Sequence, residues 1–129
     1  MIHAGFYAAF FSVEVKIMNA IKGLKDKYGN PPIFTTGSSL GAALATIAGI
    51  EINAVYGNVK ELHLFGCPRS GNQAYANFIK KSIPTIWRIV HDRDIVPHVP
   101  MVSQDFYHPP FEVLFDHELK EFKICDESG

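Results

Sequence analysis

The chain has 129 residues, 47% of them hydrophobic and 12% aromatic, enough to bury the core of one domain. Twelve basic against thirteen acidic residues give a formal net charge of -1, which leaves no positive excess for a nucleic-acid backbone or an anionic membrane and argues against a nucleic-acid partner. No apolar run reaches the roughly 20 residues that span a bilayer, so no transmembrane segment is expected. The opening "MIHAGFYAAFFSV" lacks the basic n-region and small-residue cleavage site of a signal peptide and is read as helix.

From Ala8 to Leu24, Val13, Ile17, Ile21 and Leu24 recur at spacings of four and three, which predicts one helix face with Lys16, Lys22 and Lys25 lying off it. "YGNPP" ends that helix, since Gly29 can cap it and Pro31 forbids continuation. "IFTTG" predicts a short strand. "SSLGAALATIAGIEINAVYG" predicts a helix whose small residues allow close packing on a sheet, closed by Gly57 and Asn58. "VKELHLFG", with Val59, Leu62 and Leu64, predicts a mostly buried strand, followed by the loop "CPRSGN" and a helix from about Gln73 to Lys81. Pro84 then opens the strand "TIWRIVH". This β, α, β, α, β order with short connections defines an α/β chain, a parallel-stranded core with helices on both faces. After Pro100, "FEVLF" and "KEFKICD" flank "DHEL", a C-terminal β-hairpin added beyond the parallel part. Cys67 and Cys125 form one disulfide or none, and their spacing matches no metal site.

Gly37-Ser38-Ser39-Leu40-Gly41 fits the pattern G-x-S-x-G. Composition alone puts such a match in roughly 4% of chains this long, but here it falls between a predicted strand and a small-residue helix. That is the setting of a nucleophile elbow, a sharp turn that lifts the central serine above the carboxyl ends of the strands. Ser39 is therefore the candidate nucleophile, and a side chain at Gly37 or Gly41 is expected to clash. The backbone N–H of Leu40, at the helix start, would face the anionic oxygen of a tetrahedral intermediate. A serine hydroxyl needs a histidine base, and the histidine needs a carboxylate to fix its tautomer and balance its charge. Asp92 and Asp94, just past "TIWRIVH", both qualify for the carboxylate.

Five blocks occur in order: "HAGF" at His3 to Phe6, "TGSSLGAALA" at Thr36 to Ala45, "LFGCPRSGNQAYA" at Leu64 to Ala76, "VHDRDIVPHVP" at Val90 to Pro100 and "FYHPPFEV" at Phe106 to Val113. Together they resemble the fungal-type class 3 lipases, a branch of the α/β-hydrolases acting on triacylglycerols and related acyl esters. The resemblance covers nearly the whole chain. It implies the α/β-hydrolase fold, a lipid or acyl-ester substrate at a lipid–water interface, and no cofactor or metal. It also implies Ser39 as nucleophile and Asp94, in "DIVPH", as triad carboxylate, with Asp92 a loop residue. Family members usually carry His and a second Gly where this chain has Ser38 and Ala42.

Six histidines are present. His3 belongs to "HAGF", His63 lies in a predicted buried strand, His91 ends the strand before Asp94, and His98 and His108 fill positions that the family does not use as the base; all are read as structural. His117, in "FDHELKEF", has the right place in the order Ser, Asp, His. It is the weak candidate, because "DHEL" reads as a hairpin turn and the family's base lies further along than "KICDESG". The resemblance also puts a strand with a second oxyanion donor before "HAGF". The expectation is a single lipase domain over residues 1–129, short at both ends and weak or inactive alone; the sequence leaves localisation open, and only the resemblance implies a secreted full-length protein. A noncatalytic lipid- or partner-binding module is the alternative.

Overall fold

The computed structural model describes residues 1–126. Four strands, β1 (Ile33–Ser38), β2 (Val59–Phe65), β3 (Thr85–His91) and β4 (Glu112–Phe115), lie side by side in parallel, and β5 (Phe122–Cys125) returns antiparallel along β4. The expected hairpin forms, but not beyond the parallel part. Its first strand is the fourth parallel strand, with Ile89 opposite Val113 and His91 opposite Phe115. Because spatial order follows chain order, right-handed crossovers bring α3 (Leu40–Tyr56) and α4 (Gln73–Ser82) onto the same face of the sheet.

Two helices stand where one was expected, α1 (Ala4–Phe11) and α2 (Glu14–Tyr28). At the break, the Ser12 hydroxyl donates to the Ala9 carbonyl at 2.7 Å and Val13 sits at φ -122, ψ -4. A local side-chain bond thus competes with propagation of the helix. The expected inward face divides accordingly: Ile17 and Ile21, with Met18, pack on the core, whereas Val13 and Leu24 are exposed. Gly29, at φ 80, ends α2 as expected.

The buried side of α3 is broad, taking in Ala42, Ala43, Ala45, Thr46, Ile47, Gly49, Ile50 and Ile52. A Cβ at Gly49 would come within 2.6 Å of Leu62 Cδ2, so glycine there sets how closely helix and sheet approach. On the strands Val59, Leu62, Leu64, Ile86, Arg88 and Val90 are buried. Each fully buried Ile or Leu contributes about 1.5–3 kcal/mol relative to exposure. Helices were expected on both faces, but among the described residues α2, α3 and α4 pack on this one core and α1 packs against α3; on the opposite face Phe34 and Phe65 are exposed and Trp87 and Ile89 half-buried. No helix among the described residues is long and apolar enough to cross a membrane.

Candidate active site

β1 stops at Ser38 and α3 starts at Leu40, leaving Ser39 alone in the turn at φ 54, ψ -125, a backbone conformation that L residues seldom adopt. Three backbone hydrogen bonds hold it there. The Ser39 N–H donates to the Phe65 carbonyl at the end of β2 (2.9 Å), and the Ser39 carbonyl accepts from the Ala42 N–H (3.0 Å) and the Ala43 N–H (3.4 Å). The hydroxyl is exposed and makes no capping bond to α3, so it is not committed to the helix. The Leu40 N–H belongs to the first turn, where N–H groups have no intrahelical acceptor, at the positive end of a 17-residue helix.

The two glycines of the motif differ. A Cβ on Gly37 would lie 2.2 Å from the Gly41 carbonyl oxygen and 2.8 Å from the Ala42 nitrogen, because the end of β1 passes directly against the first turn of α3. A Cβ on Gly41 would meet nothing within 4 Å. The expected clash at Gly41 does not arise, since that residue faces away from the strand. Ala42 is fully buried beneath the turn and Ser38 is exposed.

Geometry separates the two aspartates. Asp94 is half-buried; its Oδ1 accepts from the Val96 N–H at 3.0 Å, and its Oδ2 lies over Gly66, 2.8 Å from where a Cβ there would stand. Gly66 directly follows Phe65, whose carbonyl anchors Ser39, so the Asp94 carboxylate leans toward the elbow. Asp92 leans the other way. Its N–H donates to the Phe115 carbonyl at the end of β4, and its Oδ2 faces His117 Nδ1 at 3.3 Å.

His117 follows β4, three strands from β1, and three inter-strand steps of about 4.8 Å amount to roughly 14 Å. Its imidazole is bound up with Asp92 and stacks on His91, ring centroids 6.4 Å apart, so it is not beside Ser39. His63, half-buried on the open sheet face rather than in the core, pairs with Glu61 at 2.6 Å. His3 stacks on Phe6. His91 Nε2 lies 3.3 Å from the His117 carbonyl. Among the described residues no imidazole is hydrogen-bonded to Ser39 or to Asp94. Cys67 is a buried free thiol, pushed up to about 12 by burial, and Cys125 is an exposed one.

His108 is buried, 2.7 Å from the Pro97 carbonyl, which can only accept, so Nε2 carries the proton. Burial lowers its pKa to about 3, and the guanidinium groups of Arg88 and Arg69 add to the shift. The depressed folded-state pKa sets the sign. Stability is complete above the unfolded value of about 6.5 and falls as the pH drops toward 3, because the unfolded chain takes up a proton that the native imidazole refuses. Urea unfolding from pH 7 to pH 4 is expected to show wild type losing up to about 1.4 kcal/mol per pH unit more than His108→Leu. Parallel pH slopes for the two proteins would remove this account.

A parallel sheet crossed by right-handed helices, with a serine on a strained strand-to-helix turn at its carboxyl edge, defines an α/β-hydrolase fold. The family model for lipase (class 3) matches residues 1–104. The chain belongs to the class 3 lipases. It is 30% identical to a secreted mono- and diacylglycerol lipase of Fusarium solani, over 97% of this chain and 39% of that protein, and 32% identical to a lipase of Rhizopus niveus, over 96% and 33%. The solved structure of lipase II from Rhizopus niveus superposes with a TM-score of 0.92 at 29% identity, covering 99% of this chain and 50% of that one. A triacylglycerol lipase whose catalytic centre is formed by a serine protease triad gives 0.90 at 27% identity, over 99% and 51%. The chain thus spans about half of these solved structures and 33% to 39% of the two curated relatives.

Proposed function

We propose that this chain is the nucleophile-bearing part of a serine hydrolase that cleaves acyl esters of glycerol lipids, a carboxylic ester hydrolase of lipase type. The observation that carries the reading is the uncommitted hydroxyl of Ser39 on its strained turn, one strand from a carboxylate that leans over Gly66. In this reading the Ser39 oxygen attacks the ester carbonyl, and a histidine takes its proton. The Leu40 N–H and the dipole of α3 stabilise the developing oxyanion. Asp94 holds the histidine in the required tautomer through the unpaired side of its carboxylate. The histidine and the second oxyanion donor come from outside the described residues, and the full-length protein is secreted, as its Fusarium relative is named to be. The substrate is a lipid, met at a lipid–water interface, and the chemistry uses neither cofactor nor metal.

The test is hydrolysis of p-nitrophenyl butyrate by the 129-residue chain and by the longest natural product of the transcript that encodes it. The longer product is expected to turn over and to lose at least about 10⁴-fold in kcat with Ser39→Ala. The 129-residue chain is expected near the uncatalysed rate, because a serine without its base is not activated. Turnover that survives Ser39→Ala removes the hydrolase reading. The exposed apolar face around Phe34 and Phe65 favours one other reading, a noncatalytic lipid-binding module. Vesicle binding by every form with turnover by none would establish that one instead.

A further inference from the structure

The loop after β3 carries Asp94 and continues through Pro97, His98, Val99 and Pro100. All four of those consecutive backbone carbonyls accept hydrogen bonds from outside the loop. The Arg69 guanidinium, through Nη1, donates to the carbonyls of His98 and Pro100 (2.5 and 3.0 Å), and the Arg69 backbone N–H donates to that of Val99 (2.9 Å). His108 Nε2–H donates to the Pro97 carbonyl at 2.7 Å. Both side chains are buried, Arg69 at 9% exposure and His108 at 3%. In these contacts both serve main-chain oxygens, those of buried Pro97, half-buried Pro100 and the more exposed His98 and Val99.

Each side of the clamp is itself anchored. Arg69 lies three residues beyond Gly66, over which the Asp94 carboxylate sits, and its neighbours Ser70 to Asn72 are tied to the start of the chain. The Ser70 carbonyl accepts from the His3 N–H, the Asn72 N–H donates to the Met1 carbonyl, and Gly71 bridges both Ile2 and Tyr107. On the other side, Arg88 Nε donates to the Pro109 carbonyl at 2.8 Å, next to His108. Inside the loop the bonds are short-range: Asp94 N–H to His91, Val96 N–H to Asp94 Oδ1, His98 N–H to Ile95 and Val99 N–H to Val96. Such a chain of turns sets its own local shape, but it does not fix where the carboxylate stands relative to β2.

We propose that Arg69 and His108 are positioning residues for Asp94, clamping four consecutive carbonyls so that its carboxylate stays over Gly66 beside the elbow. The proposal rests on the reading of Asp94 as the triad carboxylate. A displacement of about 1 Å in such a group costs roughly 100-fold in rate, so an anchor that touches no substrate governs kcat.

The amide protons of Asp94, Val96, His98 and Val99 report on the loop, that of Val96 on the carboxylate itself, and those of α3 on global opening. In Arg69→Met the four loop amides are expected to exchange roughly 10- to 100-fold faster with α3 unchanged, and Arg69→Lys, which keeps the charge but not the two-carbonyl reach, to fall between. In the form that turns over p-nitrophenyl butyrate, Arg69→Met is expected to lower kcat roughly 100-fold at unchanged KM. In an Asp94→Asn background it is expected to add almost nothing, because both changes remove the same contribution. If Arg69→Met also opens α3, His108→Leu decides, since it removes only the Pro97 contact: faster exchange at the same four amides supports the clamp. Four amides unchanged in both variants, or full additivity with Asp94→Asn, overturns it. Failure of the catalytic reading looks different, as turnover that survives Ser39→Ala or Asp94→Asn.

Discussion

Gly37→Ala is expected to destabilise the chain by about 4 kcal/mol or more, while Gly41→Ala, four residues on in the same motif, is expected to stabilise it slightly. The new methyl at residue 37 would lie 2.2 Å from the Gly41 oxygen and 2.4 Å from its carbonyl carbon, both backbone atoms that no rotamer change can move. Relief requires the first turn of α3 to lift off β1. That movement disturbs the Ala42–Ser39 bond and the buried Ala42 beneath the turn. Against a total stability of typically 5–15 kcal/mol, such a loss leaves the domain marginal. At residue 41 the methyl meets nothing within 4 Å, and alanine in a helix is better than glycine by roughly 0.5–1 kcal/mol. Urea midpoints followed by circular dichroism measure both. Equal midpoints for the two variants would mean that the strand and helix are not in backbone contact at the elbow.

The same contrast shows where the sequence could and could not be read. The motif requires two glycines, but only the packing of β1 on α3 shows that one answers to sterics and the other does not. Element order was legible because periodicity and terminators agree: Gly29 and Gly57 take positive φ at the ends of α2 and α3, a conformation open to glycine that carries the chain off the helical path. The break at Ser12 and Val13 was not legible, since no glycine or proline marks it and a serine's bond to the carbonyl three residues back leaves no compositional trace. The pairing of β4 with β3 was hidden for another reason: a hairpin's own pattern specifies its two strands but not the sheet edge they join. The histidines divide the same way. Residue type made His117 a candidate and chain order kept it one, yet its distance from Ser39 is set by three strand spacings that arise only in the folded sheet. The clamp on the Asp94 loop was invisible because its acceptors are backbone carbonyls, which every residue has.

Removing Glu112 is expected to cost more than removing the arginine it pairs with. Arg88 sits mid-strand in β3, 2% exposed, on the side of the sheet where Ile86 and Val90 are buried. Its register partner on β4 is Glu112, and Nη1 lies 3.2 Å from Glu112 Oε2 while Nε donates to the Pro109 carbonyl. Burial lowers the Arg88 pKa and the Glu112 carboxylate opposes that shift, so the folded state tolerates the guanidinium only with its counter-charge in place. Glu112→Ala leaves an uncompensated buried charge and is expected to cost about 3–5 kcal/mol. Arg88→Met keeps apolar volume and leaves a partly exposed glutamate free to hydrate. Its main penalty is the unsatisfied Pro109 carbonyl, about 1–3 kcal/mol. Because a lone buried charge is worse than none, the double variant Arg88→Met/Glu112→Ala is expected to be more stable than Glu112→Ala alone. The two changes then couple by roughly 1–3 kcal/mol in a double-mutant cycle measured by urea unfolding. Additive losses would show that the guanidinium is hydrated rather than paired, and that Pro109, with His108 beside it, is held by some other contact.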